Sequence, residues 1–127
     1  MNVVDSSASL EYFANGKNAL HFVSPITDTK NLIVPTITLF EIFKVVLRER
    51  DESLAIQTIA LMRQGNEIDL NAVLALEAAK LATQHKIPMA NSIILATAYK
   101  HHATLWTQDN GFEGLHGVKY FSKNTID

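Results

Sequence analysis

The stretch "IPMANSIILATAYKHHATLWTQD", Ile87 to Asp109, places a helix and a strand in direct succession. After Pro88 the sequence is almost wholly apolar, which is typical of a helix built for burial. "ATLWTQD" follows as a strand that ends in the acid Asp109. Only Asn91 and Ser92 interrupt the apolar run near the head of the helix. A buried helix followed directly by a strand favours an α/β fold.

The same alternation continues through the rest of the chain. Short strands are predicted at Asn2 to Val4, "NLIVP", "EIDL", "ATLWTQD" and "VKYF". Helices are predicted after Asp5, near 18–23, over "TITLFEIFKVVLRER", "SLAIQTIALMRQG" and "NAVLALEAAKLATQHK", and after Pro88. We expect the second helix to stop before Pro25, Gly65 to end the fourth, and Asn71 to cap the fifth. Helices alternating with short strands indicate layers packed around a mostly parallel sheet.

Length and composition limit the class of protein. With 127 residues the chain fits one domain, 1–127, and its 47% hydrophobic and 19% charged content is that of a globular protein. The absence of cysteine excludes disulfides, thiolate metal sites and cysteine nucleophiles. The start, "MNVVDSSASL", lacks the basic segment of a signal peptide, and every apolar run is shorter than the about 20 residues of a membrane span. We expect a soluble, cytoplasmic protein.

Three acids are candidate functional residues because of their positions in the predicted fold. Asp5 ends the first strand, and Asp109 ends the strand "TLWT". Because the carboxyl ends of parallel strands form the ligand-binding edge of open sheets, these two aspartates can converge there. Glu41 lies in "TLFEIFK" among large apolar residues, so it belongs either to a polar stripe or to a site.

Each of these residues also has a purely structural interpretation. Asp5 could cap the helix that follows it, and Asn91 could cap or nearly cap its own helix. Glu41 and Lys44 could form an ion pair on a solvated helix face. Asp109 precedes Asn-Gly, a context that favours a local turn. The interpretations are compatible, because an aspartate that caps a helix with one oxygen can offer the other to a metal.

Convergent carboxylates would have a restricted chemistry. Like charges 4 Å apart repel by about 4 kcal/mol at an effective dielectric of 20. Such a cluster must take up protons, pair with bases or bind a cation. Oxygen ligands without cysteine favour Mg²⁺ or Mn²⁺ over zinc. These ions stabilise phosphate oxygens during attack by water, so the acids suggest phosphodiester hydrolysis.

Three blocks, "VVDSSASLEYF", "VPTITLFEIFKVVLRER" and "KIPMANSIILATAYKHHATLWTQDNGFEGL", resemble a PIN domain, and more closely a VapC-type toxin ribonuclease. The resemblance covers almost the whole chain in order. It implies a PIN-like three-layer α/β/α sandwich with a central, mostly parallel sheet. It further implies a toxin that binds Mg²⁺ or Mn²⁺ and cleaves single-stranded RNA. Members of the family commonly form homodimers and are inhibited by a cognate antitoxin whose tail wraps the toxin near its site.

The family's site residues map onto this chain with one departure. Asp5, Glu41 and Asp109 match its acids, and Thr107 matches a hydroxyl residue before the last acid. The family usually reads "ADS" or "ADA" where this chain reads "ANS", so Asn91 replaces a carboxylate. The resemblance therefore implies a catalytic set of Asp5, Glu41, Asn91 and Asp109, with Asp5, Asn91 and Asp109 at the metal. An amide supplies no negative charge and cannot act as a general base, so we expect weakened metal binding and cleavage.

Two other functions compete with an active ribonuclease. One is a catalytically weak or inactive PIN-like protein that acts by binding an antitoxin or RNA. The other is a phosphoacceptor receiver domain, which also collects acids at strand ends. A receiver needs adjacent acids early in the chain and an aspartate at the end of a middle strand. Here Asp5 is followed by serines and "NLIVP" ends in proline, which disfavours that alternative.

Overall fold

The computed structural model describes residues 1–123 and centres on a five-stranded parallel sheet with the order β3-β2-β1-β4-β5. The strands are β1 (Asn2–Val4), β2 (Leu32–Pro35), β3 (Asn66–Ile68), β4 (Thr104–Thr107) and β5 (Val118–Tyr120). β1 occupies the centre and pairs with β2 on one side and β4 on the other. Val4 is level with Trp106, so the residues after both strands emerge at the same edge. The predicted parallel sheet is confirmed.

Six α-helices connect and cover these strands within residues 1–123. They are α1 (Ser6–Phe13), α2 (Val23–Thr27), α3 (Thr36–Glu49), α4 (Glu52–Met62), α5 (Ala72–His85) and α6 (Met89–Lys100). Asn71 caps α5 as predicted, with its Oδ1 accepting from the Leu74 N–H at 2.9 Å. None of the helices in this part of the chain is long and apolar enough to cross a membrane.

The sheet separates two apolar cores because neighbouring residues of a strand point to opposite faces. Val4 packs with residues of α1, α3 and α4, including Ala8 and Ile42. Val3 packs on the other face with residues of α6, including Ile94 and Leu95. α5 covers α6 on its outer side through a third apolar cluster. Helices on both faces of the sheet confirm the predicted three-layer architecture.

Two predictions of local structure were wrong. The helix expected near 18–23 is a short 3₁₀ helix, Ala19–Phe22, which leads directly into α2. Because α2 spans Val23–Thr27, the helical segment continues through Pro25 and does not stop before it. Proline is tolerated there because N–H groups in the first turn of a helix have no intrahelical partner.

Gly65 is not the residue that ends α4, because that helix stops at Met62 and its cap is Arg63. A Cβ atom at Gly65 would lie 2.7 Å from Cγ2 of Val34. Glycine is required at this position because the backbone passes close to β2.

Candidate active site

Asp5 is the buried centre of the site. Its side chain is 2% exposed and lies at the junction of β1 and α1. Oδ1 accepts hydrogen bonds from the Ala8 N–H at 2.9 Å and the Ser7 hydroxyl at 2.8 Å. Oδ2 accepts from the Thr107 hydroxyl on β4 at 2.6 Å. Asp5 therefore caps α1 with one oxygen, and with the other it links the end of β1 to Thr107 of β4.

The protonation of Asp5 reflects this burial. Desolvation raises the pKa of Asp5 from 3.8 to about 6, although hydrogen bonds from Thr107, Ala8 and Ser7 oppose the shift. The negative charge of Asp109 is a smaller contribution in the same direction as burial. At neutral pH the charged form of Asp5 is thus held at a cost that a nearby cation would offset.

Asp109 and Asn91 form the second part of the site. Asp109 Oδ1 accepts from the Gly111 N–H at 2.8 Å, which gives the predicted local turn. Its Oδ2 accepts from Asn91 Nδ2 at 3.2 Å, and its own N–H donates to the Thr107 hydroxyl oxygen at 2.9 Å. The Thr107 hydroxyl therefore lies between the two aspartates.

Asn91 is not a helix cap, which corrects the structural interpretation of this residue. α6 begins at Met89, and its cap, Pro88, makes no side-chain hydrogen bond to the helix. Asn91 is the third residue of the helix and directs its amide nitrogen at Asp109. Asn91 therefore contacts one of the two aspartates.

Glu41 joins the site indirectly. It is half-buried on α3 and accepts a hydrogen bond from the Ser6 hydroxyl at 2.6 Å. Ser6 is the first residue of α1, directly after Asp5. Lys44, the partner expected for Glu41 on a solvated face, places its ammonium 5.5 Å from the centre of the Phe40 ring. Glu41 therefore faces the start of α1.

Several polar residues in and around the site were not singled out from the sequence. Ser6 and Ser7 follow Asp5 directly, and that adjacency is the signal that could have identified them. Gln108, between Thr107 and Asp109, is 7% exposed although it is polar. Its position between two site residues was a weaker signal. Nothing in the sequence pointed to its partner Asn18, which is 90 residues away.

The available oxygens decide whether a cation fits. A carboxylate offers about four lone-pair sites. Asp109 uses one on each oxygen, and Asp5 uses two on Oδ1 and one on Oδ2, so both retain acceptor capacity. Oxygen donors of this kind suit Mg²⁺ or Mn²⁺, which keep several waters. Across residues 1–123, however, no three side chains of the types His, Cys, Asp and Glu form a group able to hold a metal ion. The donor types, two carboxylates and the amide of Asn91, are those that suit a hard cation.

Comparison with solved structures gives close matches to the fold. A toxin–antitoxin complex from Klebsiella pneumoniae aligns with a TM-score of 0.81 and 21% identity, covering 96% of this chain and 99% of that one. VapC20 of Mycobacterium tuberculosis, a Sarcin-Ricin loop cleaving toxin, aligns with a TM-score of 0.76 and 14% identity, covering 93% and 97%. VapBC-1 from nontypeable Haemophilus influenzae aligns with a TM-score of 0.71 and 20% identity, covering 95% and 96%. At these identities the likeness establishes the fold.

A search of curated protein sequences finds no match. The match to a family comes from the sequence pattern itself, which fits the PIN domain over residues 3–117. This span includes both central strands and each of the acids described above. The chain is a member of the PIN domain family.

Proposed function

We propose that this protein is a Mg²⁺- or Mn²⁺-dependent endoribonuclease, the toxin of a toxin–antitoxin pair, whose activity is attenuated by Asn91. The observation that carries the proposal is the pairing of Asp5 and Asp109 across Thr107 at the carboxyl edge of adjacent parallel strands. Membership of the PIN family and the likeness in fold to a toxin that cleaves the Sarcin-Ricin loop support a nuclease acting on RNA.

The side chains have distinct roles in this proposal. Asp5 and Asp109 hold the cation, and the Thr107 hydroxyl fixes their relative position. Glu41, oriented by Ser6, positions the attacking water at the margin of the site. When bound, Mg²⁺ or Mn²⁺ stabilises negative charge on the phosphate oxygens and promotes ionisation of that water.

Asn91 lowers the activity for an electrostatic reason. It occupies the place of a carboxylate but contributes no charge, so the site attracts a divalent cation less strongly. Its amide N–H also donates to Asp109 Oδ2, so it uses one of the lone pairs that could otherwise face a cation. We therefore expect slow cleavage from the chain as it stands.

We assign the antitoxin to the groove between α1, α3 and α4. The structural neighbours include several toxin–antitoxin complexes, which supports an antitoxin as the partner. The groove has a volume of about 740 Å³, and Ser7 and Gln108 beside the site form part of its lining. Its other lining residues include apolar side chains such as Leu10, Val46 and Leu54, together with charged side chains of both signs. Arg48 is paired with Glu49 at 3.2 Å, so a largely apolar peptide would match this surface.

We further propose that two copies associate through exposed apolar side chains on α3 and α5. Phe40 is 62% exposed, and Leu76 is 68% exposed. Large apolar side chains left in water favour contact with another protein surface. RNA and an antitoxin are both met in the cytoplasm, where we place the protein.

The proposal is tested by measuring Mn²⁺ binding and cleavage of single-stranded RNA for the present chain and for Asn91→Asp. The added carboxylate should tighten Mn²⁺ binding by about tenfold, or about 1.4 kcal/mol, and accelerate cleavage. This is less than the about 4 kcal/mol between two unit charges 4 Å apart at a dielectric of 20, because solvent screens a half-buried site. Asp69→Asn removes an exposed loop acid and serves as the matched control. Equal cleavage by the present chain and Asn91→Asp would remove position 91 from the mechanism.

A second function is favoured by the Asn91–Asp109 hydrogen bond, because an amide donor neighbouring Asp109 neutralises part of the charge that a cation would need. In this case the present chain is a catalytically inactive PIN protein that works by binding an antitoxin or RNA. Cleavage by Asn91→Asp together with none by the present chain, at saturating Mn²⁺, would select this function.

A further inference from the structure

Two buried amides lie beside the two aspartates, and neither side chain is hydrogen-bonded to the carboxylate of Asp5 or Asp109. Asn18 is 2% exposed and Gln108 is 7% exposed. The Asn18 Nδ2 group donates to Gln108 Oε1 at 3.0 Å. We refer to these two residues as the buried amide pair.

Gln108 connects the segments that carry the two aspartates. It lies between Thr107 and Asp109, so its backbone is part of the second segment. Its N–H donates to the Ser7 hydroxyl oxygen at 3.3 Å, and its Nε2 group donates to the Ser7 carbonyl at 3.4 Å. The same Ser7 hydroxyl donates to Asp5 Oδ1 at 2.8 Å. Gln108 is thus linked to the Asp5 carboxylate by two hydrogen bonds through the Ser7 hydroxyl, and it is one peptide bond away from Asp109.

Asn18 holds Gln108 in place from the opposite side. Its backbone N–H donates to Glu11 Oε2 on α1 at 2.9 Å, and its Nδ2 group also donates to the Ser122 carbonyl after β5 at 3.1 Å. Glu11, Gln108 and Ser122, from three separate parts of the chain, therefore meet at one buried residue, Asn18. Within residues 1–123, no buried side-chain nitrogen or oxygen lacks a hydrogen-bond partner. A buried polar network that is fully paired has one favourable arrangement, because every displacement leaves a group unpaired.

We propose that Asn18 and Gln108 are positioning residues that set the separation of Asp5 and Asp109 and thereby the affinity of the site for a divalent cation. The inference rests on the proposed function. Mg²⁺ requires nearly ideal octahedral geometry, so the ligands must be held by surrounding groups. The Thr107 hydroxyl donates to the Asp5 carboxylate and accepts from the Asp109 N–H, and the buried amide pair fixes the two segments behind them.

The test replaces both amides by apolar groups of similar size, Asn18→Leu with Gln108→Leu. A single replacement leaves the other buried amide unpaired, whereas the double replacement removes both partners of the Asn18–Gln108 hydrogen bond. The Ser122 and Ser7 carbonyls each lose a donor, so the double variant should melt below its parent but still unfold cooperatively. In the Asn91→Asp background it should bind Mn²⁺ about tenfold more weakly at a temperature where both chains are folded, the lower end of what outer groups contribute to a metal site. Gln57→Leu replaces an exposed glutamine on α4 and is the control. Unchanged Mn²⁺ affinity in the folded double variant overturns the proposal.

A second measurement separates this inference from the proposed function. The N–H groups of Ala8 and Gly111 donate to the carboxylates of Asp5 and Asp109, so their hydrogen exchange reports the order of the site without metal. If the parent binds no Mn²⁺ and cleaves no RNA, the proposed function fails, and the exchange rates decide whether the positioning exists. Faster exchange at both amides in the double variant supports positioning. Exchange identical to that of the parent overturns it.

Discussion

The two sides of the site differ in how firmly the fold holds them. Asp5 is 2% exposed and accepts three hydrogen bonds, two from its own helix and one from the neighbouring strand. Asn91 is half-buried and makes one bond of 3.2 Å, to Asp109. Changing Asp5 alters a cap, a strand contact and the charge together. Replacing Asn91 by aspartate alters the charge of the site and breaks a single hydrogen bond, so the chemistry can vary at position 91 while the fold is kept.

The largest expected effect is on catalysis, from Asp5→Asn in the Asn91→Asp background. Loss of this charged ligand removes about 4 kcal/mol of transition-state stabilisation and slows RNA cleavage by about a thousandfold. Single-turnover cleavage at saturating Mn²⁺ measures it. A cleavage rate within a few fold of that of the parent would show that the Asp5 carboxylate is not required for catalysis.

The second effect is on the pH dependence of stability in EDTA. Because burial raises the pKa of Asp5 from 3.8 to about 6, the folded state holds a proton that the unfolded state releases. This contribution, about 3 kcal/mol, is fully present below about pH 3.8 and is lost as the pH rises through 6.

The contribution of Asp5 is measured as the difference in free energy of unfolding between the present chain and Asp5→Asn, from pH 4 to about pH 7. Asn91→Ala should retain the pH dependence of the present chain, because an amide does not titrate. Parallel profiles for the present chain and Asp5→Asn would show that Asp5 has an ordinary pKa.

The third effect is on stability, from Thr107→Val. The substitution keeps the shape of the side chain but removes the hydroxyl that donates to Asp5 Oδ2 and accepts from the Asp109 N–H. Two buried groups lose a partner, and we expect a loss of about 2 kcal/mol in the free energy of unfolding at pH 7. Urea denaturation gives the value. A loss below about 0.5 kcal/mol would mean that water replaces the hydroxyl and that the strand contact is weak.

The smallest effect is on the stability of Asn91→Ala. Its single long bond lies in a half-exposed position, so we expect a change of about 0.5 kcal/mol or less. The same urea denaturation compares it with Thr107→Val. A loss as large as that of Thr107→Val would contradict the difference between the two sides of the site.

The sequence predicted the parts of the site that depend on strand ends. Asp5 and Asp109 each follow a short apolar strand, and parallel pairing of those strands brings them to one edge. The local structural interpretations of both residues also proved correct, because one oxygen of each serves the nearby backbone. Local signals are reliable at these positions because the caps and turns involve residues two or three positions apart.

The sequence could not give contacts that depend on the packing of distant elements. Asparagine is common at helix caps, so the sequence favoured that role for Asn91. Its actual partner, Asp109, is brought close by the packing of α6 near the end of β4. Asn18 and Gln108 are separated by 90 residues, and no periodicity links them. The prediction at Pro25 is wrong because α2 begins at Val23, later than the predicted helix. Pro25 therefore lies in the first turn, where its missing N–H has no cost.

The outermost strands carry a consequence for how copies of the protein can join. β3 and β5 form the two borders of the sheet, and each contains three residues. A border this short offers few unpaired N–H and C=O groups, so a strand from another molecule gains little by adding to it. Addition of strands from other molecules is therefore disfavoured at both borders of the sheet.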